Sequence, residues 1–137
     1  MKKILVIEDD KDIRENLEDM LSEKYEVIAS SGGRVGIEMA IKEMPDLVVC
    51  DAMMAGIDGY GVLTALRANP TTASIPFIFL TAKSSPQDMR LGMELGADDY
   101  LTKPFTRKEL FNAIAARLKR FGKGSSRGES PSGGSGE

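Results

Sequence analysis

The chain has 137 residues, of which 42% are apolar, 28% charged and 6% aromatic, and its formal net charge is -3. This size and composition fit one globular domain with its own apolar core. One cysteine excludes an intramolecular disulfide, and the lack of histidine excludes catalysis by an imidazole of the chain's own. The negative charge gives no basis for nucleic-acid binding, and we expect no signal peptide, no membrane span and a cytoplasmic location.

Composition changes sharply after Phe121. The segment Gly122–Glu137 reads GKGSSRGESPSGGSGE and contains no apolar side chain. Such a segment cannot offset its ordering entropy by burial. We therefore predict a folded domain over residues 1–121 and a disordered Gly/Ser-rich tail or linker over residues 122–137, whether natural, a remnant of expression or cut before an output domain.

Strand-like and helix-like patterns alternate along residues 1–121. In chain order the predicted elements are a strand at 4–7, a helix capped by Asp10 or Asp12, a strand at 25–29, a helix ended by Pro45, a strand at 47–50, a helix at 60–68, a strand at 76–80, a helix at 86–96, a short strand at 99–101 and a last helix to Phe121. In the second helix, Ile37, Ala40, Ile41 and Met44 form one apolar face. The alternation predicts an α/β fold, a doubly wound five-stranded parallel sheet with five helices.

Polar residues stand at the ends of four predicted strands. Glu8 and Asp9 follow the first strand and Asp51 the third, Thr81 follows the fourth, and Lys103 comes after the fifth. The carboxyl ends of parallel strands share one edge of the sheet, where ligands bind. Carboxylates converging there repel each other, and Mg²⁺ together with an ammonium group offsets that repulsion. A carboxylate beside Mg²⁺ can attack phosphorus, while a hydroxyl and an ammonium hold the phosphoryl oxygens.

Each group also has an ordinary interpretation when it is taken alone. The acids at residues 8–10 could form only a helix N-cap, and Asp51 could be a turn residue. Lys103 could be a solvated surface charge, and Thr81 could bond to its local backbone. Complementary groups at four separate strand ends favour a shared site over four coincidences.

Six short motifs occur in a fixed order. They are ILVIEDD at 4–10, PDLVVCD at 45–51, DG at 58–59, TA at 81–82, GADDY at 96–100 and KPF at 103–105. With this order and spacing the sequence resembles, over about residues 3–121, the CheY-like receiver domain of bacterial two-component response regulators. The resemblance implies the same doubly wound, flavodoxin-like fold.

The resemblance also implies a metal site and a phosphoacceptor. Asp51 would accept the phosphoryl group, and Asp9 would be the direct Mg²⁺ carboxylate. Glu8 would assist through water, and the backbone carbonyl of Met53 would be a further ligand.

Three further residues receive roles from the resemblance. Thr81 and Lys103 would bind the phosphoryl group, and Tyr100 would be the aromatic switch whose ring turns inward or outward with phosphorylation. The Lys103–Pro104 bond is expected to be cis, which X-Pro bonds readily permit.

These roles describe a signalling switch rather than an enzyme, although it catalyses its own phosphorylation and dephosphorylation. The phosphoryl donor would be a histidine kinase or phosphotransfer protein. The partner that recognises the phosphorylated form would be a downstream effector or a second copy of the chain, bound through the fourth helix, fifth strand and last helix.

The loop after Asp51 departs from the family pattern. Ala52 stands where a larger apolar residue is usual, and Ala55 stands where proline is usual, so the loop should be more flexible. Three alternatives remain open. A magnesium-dependent phosphohydrolase would want an acid at Met53, a flavodoxin-like flavin protein would want a glycine-rich first loop, and a degenerate receiver would lack part of the acid, Thr and Lys set.

Overall fold

A computed structural model describes residues 1–122 of the chain. The predicted tail lies outside the described residues, apart from Gly122, which ends the last helix. The chain divides into one unit over Met1–Phe105 and a second that begins at Thr106. The first unit holds all five strands and four helices, including every predicted site residue.

The first unit alternates strictly between strand and helix, as predicted. Its elements are β1 (Lys3–Ile7), α1 (Lys11–Leu21), β2 (Glu26–Ser30), α2 (Gly33–Glu43), β3 (Leu47–Cys50), α3 (Gly59–Ala68), β4 (Phe77–Thr81), α4 (Pro86–Glu94) and β5 (Asp99–Thr102). Side chains cap three of these helices. Asp10, Asp58 and Ser85 accept hydrogen bonds from the backbone N–H groups of the first turns of α1, α3 and α4.

All strand pairs are parallel, and the strand order is β2-β1-β3-β4-β5. The direction of winding therefore reverses between β1 and β3, and this reversal opens a crevice beyond the carboxyl ends of those two strands. Ile7 and Cys50 are register partners. The residues that follow them, Glu8 and Asp51, consequently flank the crevice.

The central strands β1, β3 and β4 are almost fully buried because helices cover them, whereas the edge strands β2 and β5 are only partly buried. One face carries Leu5, Ile7, Phe77 and Phe79, which belong to a core cluster shared with α2 and α3. Alternation along β1 turns Ile4 and Val6 to the opposite face. The buried residues Leu17 and Leu21 of α1 serve that side. The predicted doubly wound α/β class is confirmed.

The inner face of α2 differs from the prediction. Ile41 and Met44 are 42% and 47% exposed, whereas Ala40 is fully buried and Gly33 and Gly36 are buried with it. A Cβ on Gly36 would lie 2.5 Å from Cδ1 of Ile7. The helix therefore approaches β1 at Gly36 and the start of α3 at Gly33, and a search for large apolar residues passes over both positions.

The second unit contains α5 (Arg107–Gly122). It begins with a capping box, since Thr106 Oγ1 accepts from Glu109 N and Glu109 Oε1 accepts from Thr106 N, at 3.0 and 2.7 Å. The guanidinium of Arg107 lies 4.4 Å from the ring centroid of Phe111 within the same helix. These local contacts account for a well-defined helix start.

Candidate functional site

Three of the predicted site residues meet at the crevice between β1 and β3. The Lys103 Nζ lies 3.3 Å from Glu8 Oε1 and 3.3 Å from Asp51 Oδ2. In sequence Lys103 is 95 positions from Glu8 and 52 from Asp51, and the parallel strand ends bring the three residues together. The Lys103–Pro104 peptide bond is cis, as the resemblance implied. Two carboxylates thus share one ammonium.

Glu8 is the buried acid of the group, with a side chain only 3% exposed. Its Oε2 accepts a hydrogen bond from Asp10 N at 3.1 Å. Burial, followed by the charge of Asp51, raises the pKa of Glu8 from 4.5 to about 7, while the Asp10 N–H and the Lys103 ammonium act in the opposite direction. Two carboxylates meet one ammonium here, so with both acids ionised the negative charge exceeds what the single lysine neutralises.

Asp51 stands directly after β3, and each of its two carboxylate oxygens has a hydrogen-bond partner within the chain. Oδ1 accepts from the Met53 N–H at 3.0 Å, and Oδ2 faces Lys103. The backbone behind it is tightly packed, because a Cβ on Gly59 would collide with the Asp51 carbonyl oxygen. This is the physical reason for glycine at the start of α3. The Asp51 carboxylate is consequently held in one orientation at the crevice.

Asp9 lies in a neighbouring part of the crevice. Its Oδ2 accepts from Ala55 N at 3.3 Å and so ties the loop after β3 to the end of β1. The cleft here has a volume of about 380 Å³, and its lining residues are Asp9, Ala52, Met53, Met54, Ala55, Asp58 and Lys83. The small side chains of Ala52 and Ala55 contribute to this lining. The cleft can admit a small anion beside the acids.

Lys83 connects Thr81 to Tyr100 through two hydrogen bonds. The fully buried Thr81 accepts a hydrogen bond at Oγ1 from Lys83 N, 3.2 Å away. Tyr100 is also buried, and its hydroxyl donates to the Lys83 carbonyl oxygen at 2.9 Å. Burial, and then a hydrogen bond with Tyr60, raise the pKa of Tyr100. Tyr60 and Lys83 had no place in the sequence-based prediction.

The donor set suits a hard cation that keeps several waters. Across residues 1–122 no group of three or more Cys, Asp or Glu side chains is arranged to hold a metal ion. Mg²⁺ needs only one or two carboxylates with waters and phosphate oxygens, so such a group is not required. Asp9 and Asp51 as carboxylates, and Met53 through its carbonyl, are ligands of the type that Mg²⁺ prefers. The excess negative charge at Glu8 fits a cation in the same place.

Fold and site together define the class of this protein as a doubly wound α/β domain with an acidic crevice and one lysine at the switch point of its sheet. A family model described as the response regulator receiver domain matches residues 4–115. The chain belongs to this family, and the resemblance of its motifs is confirmed.

Curated relatives include a probable transcriptional regulator ycf27 from Porphyridium aerugineum, 45% identical over 134 residues, which cover 97% of this chain and 55% of the relative. The chain spans about half the length of the curated relatives that it matches. Among solved structures, a response regulator from Chloroflexus aurantiacus aligns with a TM-score of 0.82 and 35% identity, covering 87% of this chain and 98% of the other.

A second solved structure bears on the metal. The receiver domain of the sensor histidine kinase PA1611 from Pseudomonas aeruginosa is described with a magnesium ion coordinated in its active site cleft. It is 28% identical to this chain, with a TM-score of 0.80, and the alignment covers 86% of this chain and 98% of that domain. As for membranes, none of the helices within the described residues is both long and apolar enough to span one.

Proposed function

We propose that this chain is the phosphoacceptor module of a two-component phosphorelay and that Asp51 receives the phosphoryl group. The observation that carries this proposal is the setting of the Asp51 carboxylate. A backbone N–H holds one oxygen and an ammonium faces the other, at a crevice with a second buried acid. Such a carboxylate is oriented, partly desolvated and accompanied by a cationic group that can stabilise charge on transferred oxygens.

The reaction is a transfer between two protein side chains. An oxygen of Asp51 attacks phosphorus, and the new P–O bond forms as the P–N bond of a donor phosphohistidine breaks. The electron pair of the broken bond returns to the donor imidazole, which takes up a proton. These 137 residues contain no histidine, so the donor imidazole lies outside them, and we propose a histidine kinase or a phosphotransfer protein as its source. Lys103 and the Thr81 hydroxyl are proposed to hold the transferred oxygens.

Asp9, Asp51 and the Met53 carbonyl are the residues proposed to hold Mg²⁺, with Glu8 acting through water. When bound there, Mg²⁺ neutralises the repulsion between the carboxylates and the charge of the phosphoryl oxygens. The acid-rich crevice and the magnesium-containing cleft of the PA1611 receiver domain support this assignment.

The output is proposed to be a change of surface. A phosphoryl group on Asp51 brings charge and acceptor oxygens that can draw the Thr81 hydroxyl toward it, and Tyr100 responds on the neighbouring strand. On the outer surface of α4, Met89, Leu91 and Met93 are exposed apolar side chains suited to a partner. The partner is proposed to be an effector or a second copy, and the exchange to take place in the cytoplasm without direct nucleic-acid contact by this chain.

A switch accounts for these features better than a phosphohydrolase does. Position 53, where a hydrolase of this kind would want an acid, is a methionine whose side chain is 55% exposed. In the switch, the chain promotes its own phosphorylation and dephosphorylation, and the information passes to a partner.

Intact mass measurement after incubation with acetyl phosphate and Mg²⁺ tests the proposal. We expect one added phosphoryl group in the unmodified chain, and none in Asp51→Asn or in the presence of EDTA. Asp46→Asn is the matched control, since Asp46 lies just before β3 and is bonded to the Lys3 N–H, and it should be labelled normally. A stable single adduct in Asp51→Asn would refute the assignment.

A further inference from the structure

Two buried tyrosine hydroxyls meet behind the site. The hydroxyl oxygens of Tyr60 in α3 and Tyr100 in β5 are 2.9 Å apart. Tyr100 also lies 2.9 Å from the carbonyl oxygen of Lys83, and Tyr60 lies 3.3 Å from the carbonyl oxygen of Asp88 in α4. One pair of phenols therefore connects a strand, two helices and the loop after β4.

The direction of these hydrogen bonds follows from counting protons. Each phenol has one proton and faces a carbonyl that can only accept, but the Tyr100–Lys83 distance of 2.9 Å is shorter than the Tyr60–Asp88 distance of 3.3 Å, so we assign the Tyr100 proton to Lys83. The short contact between the phenols is then a bond from the Tyr60 hydroxyl to the Tyr100 oxygen. Successive bonds of this kind polarise and strengthen each other. Tyr60 thus donates a hydrogen bond to the Tyr100 hydroxyl oxygen, which is buried when the Tyr100 ring lies inward.

Tyr60 has a second acceptor available when Tyr100 leaves. The Asp88 carbonyl, 3.3 Å away, can take the Tyr60 proton if the Tyr100 ring turns outward. Tyr60 is then not left with an unpaired buried donor in either state. The arrangement therefore permits both the inward and the outward position of Tyr100, because neither state carries the free-energy penalty of an unpaired Tyr60 hydroxyl.

The rings are packed so that the switch has a defined inner position. Phe79 lies between them, with centroids 5.1 Å from Tyr60 and 5.3 Å from Tyr100. On the α4 side the neighbour is Gly92, where a Cβ would lie only 3.0 Å from Cδ2 of Tyr100. The inward ring therefore fits a space that these three neighbours shape, and the Tyr60 hydroxyl marks its end.

The pair is also linked to the phosphorylation side. Lys83 donates its N–H to Thr81 Oγ1 at 3.2 Å and accepts from Tyr100 through its carbonyl. A movement of the Thr81 hydroxyl toward a phosphoryl group changes the hydrogen bond that positions Lys83. The Lys83 carbonyl is the acceptor on which the inward ring of Tyr100 depends.

We propose that Tyr60 is a positioning residue that holds Tyr100 inward by donating a hydrogen bond to its hydroxyl, and so sets the ratio of inward to outward states. This inference rests on the proposed function, in which Tyr100 reports phosphorylation of Asp51. It adds that α3 takes part in the switch through one phenol. If the position of Tyr100 and the phosphorylation site are coupled, an interaction that favours the inward ring also favours the phosphorylated form of Asp51.

The experiment uses the full chain labelled with tyrosine carrying ¹³C at Cζ, whose chemical shift reports hydrogen bonding of the phenol. The chain has three tyrosines, so three signals are assigned from the Tyr→Phe variants. Spectra are recorded with and without Mg²⁺ and beryllofluoride, a mimic of the phosphoryl group. Tyr60→Phe keeps the ring against Phe79 and removes only the hydroxyl. Tyr25→Phe, just before β2 at the opposite edge of the sheet, is the matched control.

In Tyr60→Phe we expect the Tyr100 signal to move toward that of an outward ring, with the inward to outward ratio reduced by at most about fivefold, because the 2.9 Å bond lost from the inward state is partly offset by the longer Asp88 bond lost from the outward state. The dissociation constant for beryllofluoride should rise by up to the same factor. In Tyr100→Phe the Tyr60 signal should move as its proton passes to Asp88. Tyr25→Phe should leave both signals unchanged.

An unchanged Tyr100 signal and unchanged beryllofluoride binding in a folded Tyr60→Phe would overturn the inference. Failure of the proposed function is seen separately, as absence of an Asp51 adduct with acetyl phosphate in the unmodified chain. If Tyr60→Phe is labelled normally while Tyr100 does not respond, only the role of Tyr60 is wrong.

Discussion

Two charged clusters lie at opposite ends of the parallel strands, and they differ in their balance of charge. At the amino-terminal edge, Arg67 and Asp98 are paired at 3.2 Å. At the carboxyl-terminal edge, Glu8 and Asp51 share Lys103 at 3.3 Å each. The first cluster has one cation for one acid, and the second has one cation for two acids.

The Arg67 cluster is saturated with hydrogen bonds. The guanidinium donates to the carbonyl oxygens of Ala73, Ile75 and Gly96 as well as to Asp98. The same Asp98 oxygen also accepts from Phe77 N at 2.8 Å, at the start of β4. All five guanidinium N–H donors are used, so this cluster joins the end of α3 to the starts of two strands and leaves the guanidinium no free donor for a ligand.

The Lys103 cluster keeps unused capacity. Its two ammonium contacts are longer than typical charge-assisted hydrogen bonds, and the negative charge is only half compensated. Burial is the main cause of the raised pKa of Glu8, and the neighbouring Asp51 carboxylate adds to it. A balanced cluster stabilises the fold, whereas an unbalanced one costs stability and can bind a cation and a phosphoryl group.

The same change, Asp→Ala, should have very different effects in the two regions. Asp98→Ala leaves the Phe77 N–H without its acceptor and removes the carboxylate that neutralises a partly buried guanidinium, so we expect a loss of about 3 kcal/mol in the free energy of unfolding. Asp9→Ala removes an exposed charge from an acid-rich site, so without metal the stability should change by less than about 0.5 kcal/mol, toward greater stability. Urea unfolding in EDTA measures both.

Binding of Mg²⁺ sharpens this contrast. Asp9→Ala should weaken Mg²⁺ affinity more than tenfold because it removes a proposed ligand and its charge, whereas a folded Asp98→Ala should bind Mg²⁺ normally. Unchanged Mg²⁺ affinity in Asp9→Ala, together with a lower unfolding temperature of the metal-free protein, would show that Asp9 is only a cap for the loop.

The raised pKa of Glu8 predicts a pH dependence of stability. With a pKa of about 7 when folded and 4.5 when unfolded, Glu8 binds its proton more tightly in the folded protein. Its contribution to stability is therefore fully present below pH 4.5 and is lost as pH rises through about 7, by something on the order of 3 kcal/mol. Glu8→Gln should remove this slope in EDTA. A slope of the same size in Glu8→Gln would assign it to other groups.

Much of this arrangement could be predicted from residue order. Apolar runs followed by Glu8, Asp51, Thr81 and Lys103 indicate which strand ends share an edge, since parallel topology leaves few alternatives. The prediction failed where small residues or backbone groups form the contact. The buried face of α2 includes two glycines beside Ala40, and the acceptors of Arg67 are mostly carbonyl oxygens, which carry no residue-type signal.

The partnership of Tyr60 with Tyr100 was missed for a related reason. Either tyrosine is an ordinary core residue when it is considered alone. Their contact depends on how α3 and β5 pack across Phe79, and this spacing is a property of the folded sheet. Pairs of buried hydroxyls at positions 40 residues apart are visible only after the elements have been assembled.

Exchanging the two cation types tests whether the clusters differ in kind. Arg67→Lys supplies one compact ammonium in place of a fork that reaches four acceptors, so stability should fall by about 1 to 2 kcal/mol. Lys103→Arg keeps the charge between two carboxylates, and stability should change by only about 0.5 kcal/mol. The wider guanidinium nevertheless occupies space intended for phosphoryl oxygens, so labelling by acetyl phosphate should slow at least tenfold. Thermal unfolding and mass spectrometry of both variants measure the contrast, and normal labelling of Lys103→Arg would show that Lys103 acts by charge alone.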